Sequence, residues 1–461
     1  MTDSSPAPTA TGVAPCDPVP CAAAGCTPTV CVGAGLRSNA EMFARSTQAI
    51  PGGVNSSIRA FRAVGGDPYV VAGAEGATIT DVEGTTYIDL VQSYGAVILG
   101  HAHPAITEAV RSAAGGGTSY GAPTPREMKL AETIRERVPS CERVRLMNSG
   151  TEATSTAIRL ARGVTGRDRI VTFAGNFHGA TDALLVAGGS GVATLGLPGT
   201  AGVPSAAVAE TMVAPYNRVP ELDEKVAAVI VEPVAANMGV VEPAEGFLEG
   251  LRAECDRVGA LLILDEVITG FRLAPGGAQE VLGVRPDITC FGKVIGGGLP
   301  IGAIGGRTEV MESLSPLGAV FHAGTLSGNP LATAAGLAAL DRLTPDVYEL
   351  LRDRATRLST VLTDACARAG FAARFPVVGT LVGIVCGDDA PDPVRDFDDA
   401  KATDEAAYAA FFRAMLDEGV AMAPGAYEAI FVGLAHTDDV IDRIGTAAAL
   451  AAPRAVAALD A

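Results

Sequence analysis

Short apolar runs that alternate with helical patterns are the feature of this chain that most limits its fold. Each run has the length and composition of a buried strand, and these predicted strands are Arg143–Met147, Arg169–Phe173, Val226–Glu232 and Leu261–Asp265. Helical patterns, such as Thr151–Arg162 and Leu248–Val258, lie between them. Strands that alternate with helices pair in parallel, so the pattern predicts an α/β fold whose mostly parallel central sheet has helices on both faces.

The segments on either side of this region predict smaller elements. Before it lie a predicted helix, three short strands and a hairpin turn, at Ala40–Ala49, Tyr69–Ala72, Ala77–Asp81, Tyr87–Leu90 and Glu83-Gly84. After Asp341 we expect a long helix, a strand and a second helix, the last two at Leu381–Val385 and Glu405–Glu418. We therefore predict a disordered tail (1–36), an N-terminal segment (37–100), a large domain (101–340) and a small C-terminal domain (341–461). The N- and C-terminal segments together would form the smaller α+β domain.

Charge and composition exclude several classes of partner. The 461 residues carry a formal net charge of -18, which argues against nucleic acid or an anionic membrane surface. No apolar run approaches the roughly 20 residues that span a bilayer, and residues 1–36 lack Lys and Arg, so we expect a cytoplasmic protein. The spacing of five between Cys16, Cys21, Cys26 and Cys31 matches no usual metal-ligand pattern, and we predict no metal site.

A carboxylate and a lysine follow two neighbouring apolar segments. Asp265 ends the run that starts at Leu261, and Lys293 lies in a loop rich in glycine. A pyridoxal phosphate enzyme needs a lysine to bind the cofactor covalently and an acid to keep its pyridine nitrogen protonated. Taken alone, Asp265 could instead form a structural ion pair, and Lys293 could lie on the surface.

Other residues of the same region would complete a cofactor site. The segment Asn148-Ser-Gly-Thr-Glu-Ala153 follows a strand and opens a helix, which suits a phosphate, although an ordinary helix cap has the same pattern. Phe177 could stack on the cofactor ring, or belong to the core. Asn237 could bind the phenolic oxygen, or serve a turn before glycine. Thr325 could donate to the phosphate across an interface between two subunits.

From about Arg37 to Ala449 the chain resembles the class III, fold type I, pyridoxal-phosphate-dependent aminotransferases, and within them the aminomutase branch. The stretches that carry the resemblance include Gly52-Gly-Val-Asn-Ser-Ser-Ile-Arg-Ala-Phe61, Asn148-Ser-Gly-Thr-Glu-Ala153, Glu232-Pro-Val-Ala-Ala-Asn-Met-Gly239, Leu264-Asp-Glu-Val-Ile-Thr-Gly-Phe-Arg272, Gly292-Lys-Val-Ile-Gly-Gly-Gly-Leu-Pro300 and Ala323-Gly-Thr-Leu-Ser-Gly-Asn-Pro330. The implied activity is intramolecular amino transfer, which converts glutamate-1-semialdehyde to 5-aminolevulinate in tetrapyrrole biosynthesis. The implied cofactor is pyridoxal 5'-phosphate, cycling with pyridoxamine 5'-phosphate.

The resemblance also implies a role for each matching residue. Lys293 would be the Schiff-base lysine and proton carrier. The other implied cofactor contacts are Asp265 at the pyridine nitrogen, Asn237 at the phenolic oxygen, Phe177 on the ring, and Ser149, Gly150 and Thr151 at the phosphate. Thr325 would come from the second subunit of a homodimer. The implied substrate residues are Arg59, Ser190 and Glu428, and Tyr94, where the family has another residue, would also contact the substrate.

Several residues depart from the aminomutase pattern near the expected substrate pocket. The departures are Tyr94 and Ala96 for tryptophan and proline, Ser57 for proline, Phe177 for tyrosine, Ala236 for glycine, and Phe321-His322 for Tyr-Gln. Lost hydroxyl groups can change substrate choice by large factors. A divergent class III aminotransferase or aminomutase that acts on another amino acid therefore stays open. A non-catalytic protein that binds the cofactor is a second alternative, against which Lys293, Asp265 and Asn237 argue.

Overall fold

A computed structural model describes residues 38–186 and 200–460 of the chain. The strands of these residues are numbered in chain order: β1 (Val71–Glu75), β2 (Thr78–Asp81), β3 (Thr86–Asp89), β4 (Arg143–Met147), β5 (Arg169–Phe173), β6 (Thr211–Ala214), β7 (Val226–Val231), β8 (Leu261–Asp265), β9 (Ile288–Phe291), β10 (Gly302–Gly306), β11 (Ala373–Arg374), β12 (Val377–Val378), β13 (Leu381–Val382), β14 (Val385–Cys386), β15 (Val420–Ala421) and β16 (Ile430–Phe431).

The central sheet has seven strands in the order β4-β10-β9-β8-β7-β5-β6. The five strands from β9 to β6 pair in parallel, and β10 runs antiparallel to both of its neighbours. Every residue of β7, β8 and β9 is buried, as expected of parallel strands whose two faces are both covered. The predicted α/β fold with a mostly parallel sheet is confirmed.

Helices separate the strands along the chain. The α-helices span Asn39–Ala49, Pro104–Ala114, Pro125–Arg137, Gly150–Thr165, Ser205–Val208, Phe247–Val258, Ala278–Leu282, Thr308–Met311, Pro330–Leu340, Pro345–Ala369, Phe397–Ala400, Glu405–Asp417 and Asp438–Leu459. In the part of the chain described here, no helix combines the length and the apolar character needed to cross a bilayer.

One predicted strand is wrong. The run Leu381–Val385 forms two short strands, because the chain changes pairing partners at Gly383. Residues before this glycine pair with β12 and β16, whereas those after it pair with β11. A side chain at Gly383 would lie 2.4 Å from the carbonyl oxygen of Gly239, so the backbone approaches too closely for a larger residue.

The N-terminal strands join the C-terminal part of the chain in a second sheet. Its order is β1-β2-β3-β15, and β15 pairs in parallel with β3. His436 also joins these two parts of the chain. Its Nε2 lies 3.1 Å from the carbonyl oxygen of Asp89 in β3, and its Nδ1 accepts the N–H of Gly433, near its own position, at 3.0 Å. His436 is fully buried, and burial lowers its pKa from 6.5 to about 4.

We expect His436 to make the fold sensitive to acid. Between pH 6.5 and about 4 the unfolded chain gains a proton at this residue that the folded chain does not accept, so stability is lost as the pH falls through this range. At 1.36 kcal/mol per pH unit the loss is about 3 kcal/mol. Urea unfolding at several pH values should show a smaller pH dependence for His436→Gln than for the native chain. Equal slopes would contradict the assignment.

Candidate active site

A cavity of about 240 Å³ opens where the central strands end. The residues after β4, β5, β7, β8 and β9 all reach it, because the carboxyl ends of parallel strands meet at one edge of the sheet. It is lined by Ser149, Gly150, Thr151, Thr154, Phe177, His178, Gly179, Glu232, Val234, Asn237, Asp265, Val267, Ile268, Thr269 and Lys293. Seven residues that the sequence predicts to contact a cofactor are thus brought together.

One end of the cavity is the start of a long helix. Ser149 caps the helix Gly150–Thr165 and accepts the N–H of Glu152 at 3.1 Å. The first N–H groups of a helix have no partner within it, and the helix dipole favours an anion beside them. Thr151 accepts the N–H of Ala180 at 3.2 Å, which draws the loop after β5 over this helix start. The arrangement suits a phosphate group.

Gly179 allows this loop to approach. Its φ of 81° favours glycine, and a Cβ there would lie 2.4 Å from Thr151 Oγ1 and 2.8 Å from Thr151 Cα. We expect Gly179→Ala to push the loop from the helix start and to weaken binding of pyridoxal phosphate by about 10-fold, the worth of one charge-assisted hydrogen bond. Calorimetric titration of the apoprotein measures this.

Gly166→Ala is the matched control for that substitution. Gly166 also has a left-handed φ, of 67°, but a Cβ there would meet no atom within 4 Å. Its replacement should lower the free energy of unfolding by about 1 kcal/mol and leave cofactor affinity unchanged. Equal cofactor affinities of the two variants would show that the contact with Thr151 is unimportant.

A buried pair of side chains lies at the end of β8. Asp265 Oδ2 is 2.7 Å from His178 Nδ1, and its Oδ1 accepts the N–H of Val267 at 3.0 Å. The side chains of His178 and Asp265 are only 1% and 3% exposed. Because a carboxylate only accepts hydrogen bonds, Nδ1 of His178 must be the donor. The pair fixes an acidic group at the cavity wall, where it suits a protonated ring nitrogen.

Lys293 stands at the start of a 3-10 turn, Lys293–Gly296, directly after β9. Its φ of 47° is uncommon for a residue with a side chain and is found where surrounding structure enforces it. Burial lowers the pKa of its amine, while the negative charges of Glu428, Glu232 and Asp265 oppose that change. A lowered pKa increases the fraction of neutral amine, the form that attacks a carbonyl carbon or takes up a proton.

Glu232 connects two other parts of the cavity wall. Its Oε1 accepts the backbone N–H of Phe177 at 2.6 Å and the side-chain N–H of Asn237 at 2.9 Å. No role is predicted for Glu232 or His178 from the sequence. The signal for Glu232 was available, since it ends an all-apolar strand just as Asp265 does.

Among the residues expected at the substrate, Arg59, Tyr94 and Glu428 are described, and they are not part of the cavity lining. Tyr94 is half-buried, and its pKa is raised first by burial, then by the charge of Glu428, while Arg59 opposes the rise. These three side chains therefore share one electrostatic environment, and Glu428 also acts on Lys293. Thr325 lies exposed in a turn and does not line the cavity of its own chain. Ser190 and the cysteines of the tail lie outside the described residues.

These features fit pyridoxal phosphate. The helix start with Gly179 forms a cradle that a Cβ would fill, and His178 Nε2 is buried without a hydrogen-bond partner in the described part of the chain. Phe177, Asn237, Asp265 and Lys293 supply an aromatic face, an amide, a carboxylate and an amine. This donor set matches the ring, the phenolic oxygen, the pyridine nitrogen and the aldehyde of the cofactor.

Comparison with known sequences gives a consistent result. The family model of class-III aminotransferases matches residues 61–444. Glutamate-1-semialdehyde 2,1-aminomutase of Desulforudis audaxviator (strain MP104C) is 52% identical over 413 residues, which cover 88% of this chain and 95% of that protein. The enzyme of the same name from Syntrophobacter fumaroxidans is 53% identical over 402 residues, 85% of this chain and 92% of the relative.

Solved structures share the fold. An omega-transaminase from Sphaerobacter thermophilus superimposes with a TM-score of 0.82 at 33% identity, covering 91% of this chain and 98% of the other. A glutamate-1-semialdehyde-aminomutase from Pseudomonas aeruginosa PAO1 in complex with PMP gives a TM-score of 0.78 at 26% identity, covering 89% and 93%. The expected fold type I architecture is therefore confirmed.

Proposed function

Since this chain belongs to the class-III aminotransferase family, we propose that it is a pyridoxal-phosphate-dependent aminomutase that converts glutamate-1-semialdehyde to 5-aminolevulinate. The observation that carries this proposal is the identity of 52% and 53% to two aminomutases along 95% and 92% of their length. The cavity adds the groups that such an enzyme needs. The reaction belongs to tetrapyrrole biosynthesis.

The proposed reaction moves an amino group between neighbouring carbons of one five-carbon acid. The substrate carries an amine at C4 and an aldehyde at C5, and the product carries a ketone at C4 and an amine at C5. When bound, the cofactor supplies an exchangeable amine and a ring that accepts electrons. No second amino acid or keto acid is consumed, because the product has the same atoms as the substrate.

The protein would contribute proton transfer and orientation. Lys293, with its lowered pKa, would take the proton from C4 of the substrate and deliver a proton to C5. Asp265 would hold a proton on the ring nitrogen and would itself be oriented by His178. Asn237 would donate to the phenolic oxygen, and Phe177 would lie against the ring. Ser149, Gly150 and Thr151 would bind the phosphate.

The substrate would be recognised by Tyr94 and the charged residues around it. We propose that Arg59 binds the substrate carboxylate, because a guanidinium forms strong paired hydrogen bonds with a carboxylate. The chain has a net charge of -18, so an anionic substrate needs such a specific positive group. Glu428 would lie near the substrate amine, and its charge acts on both Lys293 and Tyr94. Ser190 would belong to the segment over the site.

A homodimer would complete the phosphate site with Thr325 of the second subunit. Exposed apolar side chains near this turn support such an interface, since Leu317, Phe321 and Leu326 are 69%, 68% and 52% exposed. We also propose a cytoplasmic location and the division into a tail (1–36), an N-terminal segment (37–100), a large domain (101–340) and a small domain (341–461).

A turnover assay without any added keto acid tests the function. Purified protein loaded with pyridoxamine phosphate is mixed with glutamate-1-semialdehyde, and 5-aminolevulinate is measured. Its formation over many turnovers supports the aminomutase. Turnover that requires a keto acid as acceptor would instead support a class III aminotransferase with another substrate, an outcome that the departures at Tyr94, Phe177 and Phe321 make worth testing.

A further inference from the structure

We propose that Glu232 is the positioning residue that sets both the amide of Asn237 and the backbone of Phe177 for the bound cofactor. The proposal rests on the proposed function only in requiring that pyridoxal phosphate occupy the cavity. It concerns a residue one strand away from Asp265, at the end of β7.

Glu232 receives only hydrogen-bond donors. The N–H of Phe177 and the side-chain N–H of Asn237 reach Oε1 at 2.6 and 2.9 Å, and the N–H of Ala236 reaches Oε2 at 2.9 Å. The residue is 3% exposed. A protonated acid would have to donate from one oxygen, and every neighbour around these oxygens is itself a donor. These contacts therefore favour the ionised carboxylate over the protonated acid.

The backbone of Glu232 is held as well. Its N–H donates to Asn176 Oδ1 at 2.9 Å, and its carbonyl oxygen accepts the hydroxyl of Tyr216 at 3.2 Å. No lysine or arginine forms an ion pair with Glu232 within the described residues. Burial, with the nearby charge of Asp265, raises the pKa of Glu232 to about 7, while His178 opposes this rise. The hydrogen bonds to its oxygens thus offset part of the cost of burying this charge at the cavity wall.

This carboxylate determines which way the amide of Asn237 points. Because Glu232 accepts only, Nδ2 of Asn237 must face it, which uses one of the two N–H bonds of that nitrogen. The second N–H remains for an oxygen in the cavity. The same Oε1 atom fixes the backbone of Phe177, whose ring borders the cavity. Two contacts with the cofactor therefore depend on one oxygen atom.

The test compares Glu232→Gln with the native protein in cofactor binding. Glutamine turns its NH₂ group either against the N–H groups of Phe177 and Asn237 or against the N–H of Ala236, so the segment that carries Asn237 is disturbed in both orientations. We expect the dissociation constant of pyridoxal phosphate from the apoprotein to rise roughly 10- to 100-fold, the range for hydrogen bonds to charged groups. Calorimetry suits this measurement because the chain has no tryptophan.

A second measurement distinguishes the positioning of Asn237 by Glu232 from a general disturbance of the cofactor site. The pH midpoint of the bound cofactor's visible absorbance is measured for the native protein, Glu232→Gln, Asn237→Ala and the double variant. Asn237→Ala shifts this pH midpoint by some amount in the native background. If Glu232 acts through Asn237, the same substitution should shift the midpoint by less than about half of that amount in the Glu232→Gln background. This double-mutant comparison cancels the direct effect of the lost charge.

Glu266→Gln is the matched control. Glu266 is a fully buried carboxylate after β8 that accepts hydrogen bonds from Thr269, Ala278 and Gln279, and it does not line the cavity. Its replacement should lower the melting temperature and leave the cofactor's dissociation constant and pH midpoint unchanged. If Glu232→Gln does not fold, Glu232→Asp, which keeps the charge but shortens the side chain, carries the same comparisons.

The proposal is overturned if Glu232→Gln binds pyridoxal phosphate within about 3-fold of the native affinity, a difference below 1 kcal/mol. It is also overturned if Asn237→Ala shifts the midpoint equally in both backgrounds. Failure of the proposed function has another signature. A native protein that binds the cofactor but makes no 5-aminolevulinate refutes the function alone, and the Glu232 comparison then still stands.

Discussion

Replacing Lys293 by alanine should abolish turnover, with a loss on the order of 10⁴-fold or more, because one side chain serves both as covalent anchor and as proton carrier. Pyridoxal phosphate should still bind, since the helix start, Asn237 and Asp265 are unchanged. Borohydride reduction followed by mass spectrometry should find the cofactor covalently attached in the native protein and unattached in the variant.

Lys225→Ala is the control for this substitution. Lys225 is exposed just before β7, and its side chain does not line the cavity. That variant should keep native turnover and covalent attachment. Substantial turnover by Lys293→Ala would mean that another base moves the proton, and the proposed mechanism would have to be revised.

Replacing Asp265 by asparagine should lower turnover by roughly 100- to 1,000-fold, the usual cost of removing one charged partner that the reaction requires. An amide has nearly the same shape but cannot hold a proton on a ring nitrogen. It also presents either an uncharged oxygen or an N–H group to the Nδ1 of His178, which lies 2.7 Å away. The absorbance of the bound cofactor should change together with turnover.

Asp287→Asn offers a matched control for this second substitution. Asp287 is also buried, but it precedes β9, at the opposite end of the sheet from the cavity, where it pairs with Arg252 and Arg307. Its replacement should reduce stability and leave the absorbance of the bound cofactor as in the native protein. If the two variants changed the absorbance alike, the effect at Asp265 would be one of stability.

Four of the seven strands of the central sheet, β4, β5, β7 and β8, were predictable because each is a short run between turns that alternates with a helical pattern, whereas β6, β9 and β10 were not predicted. The predicted bounds of β4, β5 and β8 match the structure, and helix Gly150–Thr165 begins one residue before the predicted start. The run 381–385 was not predictable as two strands, because each strand is only two residues long and the two pair with different partners, β12 and β16 for β13 but β11 for β14. Local pattern carries no information about such pairings.

In the candidate site, too, some residues were predictable from the local sequence and others were not. Asp265 and Lys293 could be proposed from the sequence, since each follows an apolar strand within a recognisable pattern. The hydrogen bonds from Phe177 and Asn237 to Glu232 depend on how the loop after β5 meets the loop after β7, which only the folded chain reveals. Likewise, the pairing of His178 with Asp265 joins residues 87 positions apart.

The pairing of β15 with β3 has a consequence for the newly made chain. Residues near 88 leave the ribosome long before residue 420 is synthesised, so the β1–β3 sheet at first has an open edge. Ile88 and Leu90, both buried in the finished protein, are then exposed to other chains in the cell. Translation that stops before residue 420 would leave this edge permanently uncovered, which makes such fragments candidates for chaperone capture or aggregation.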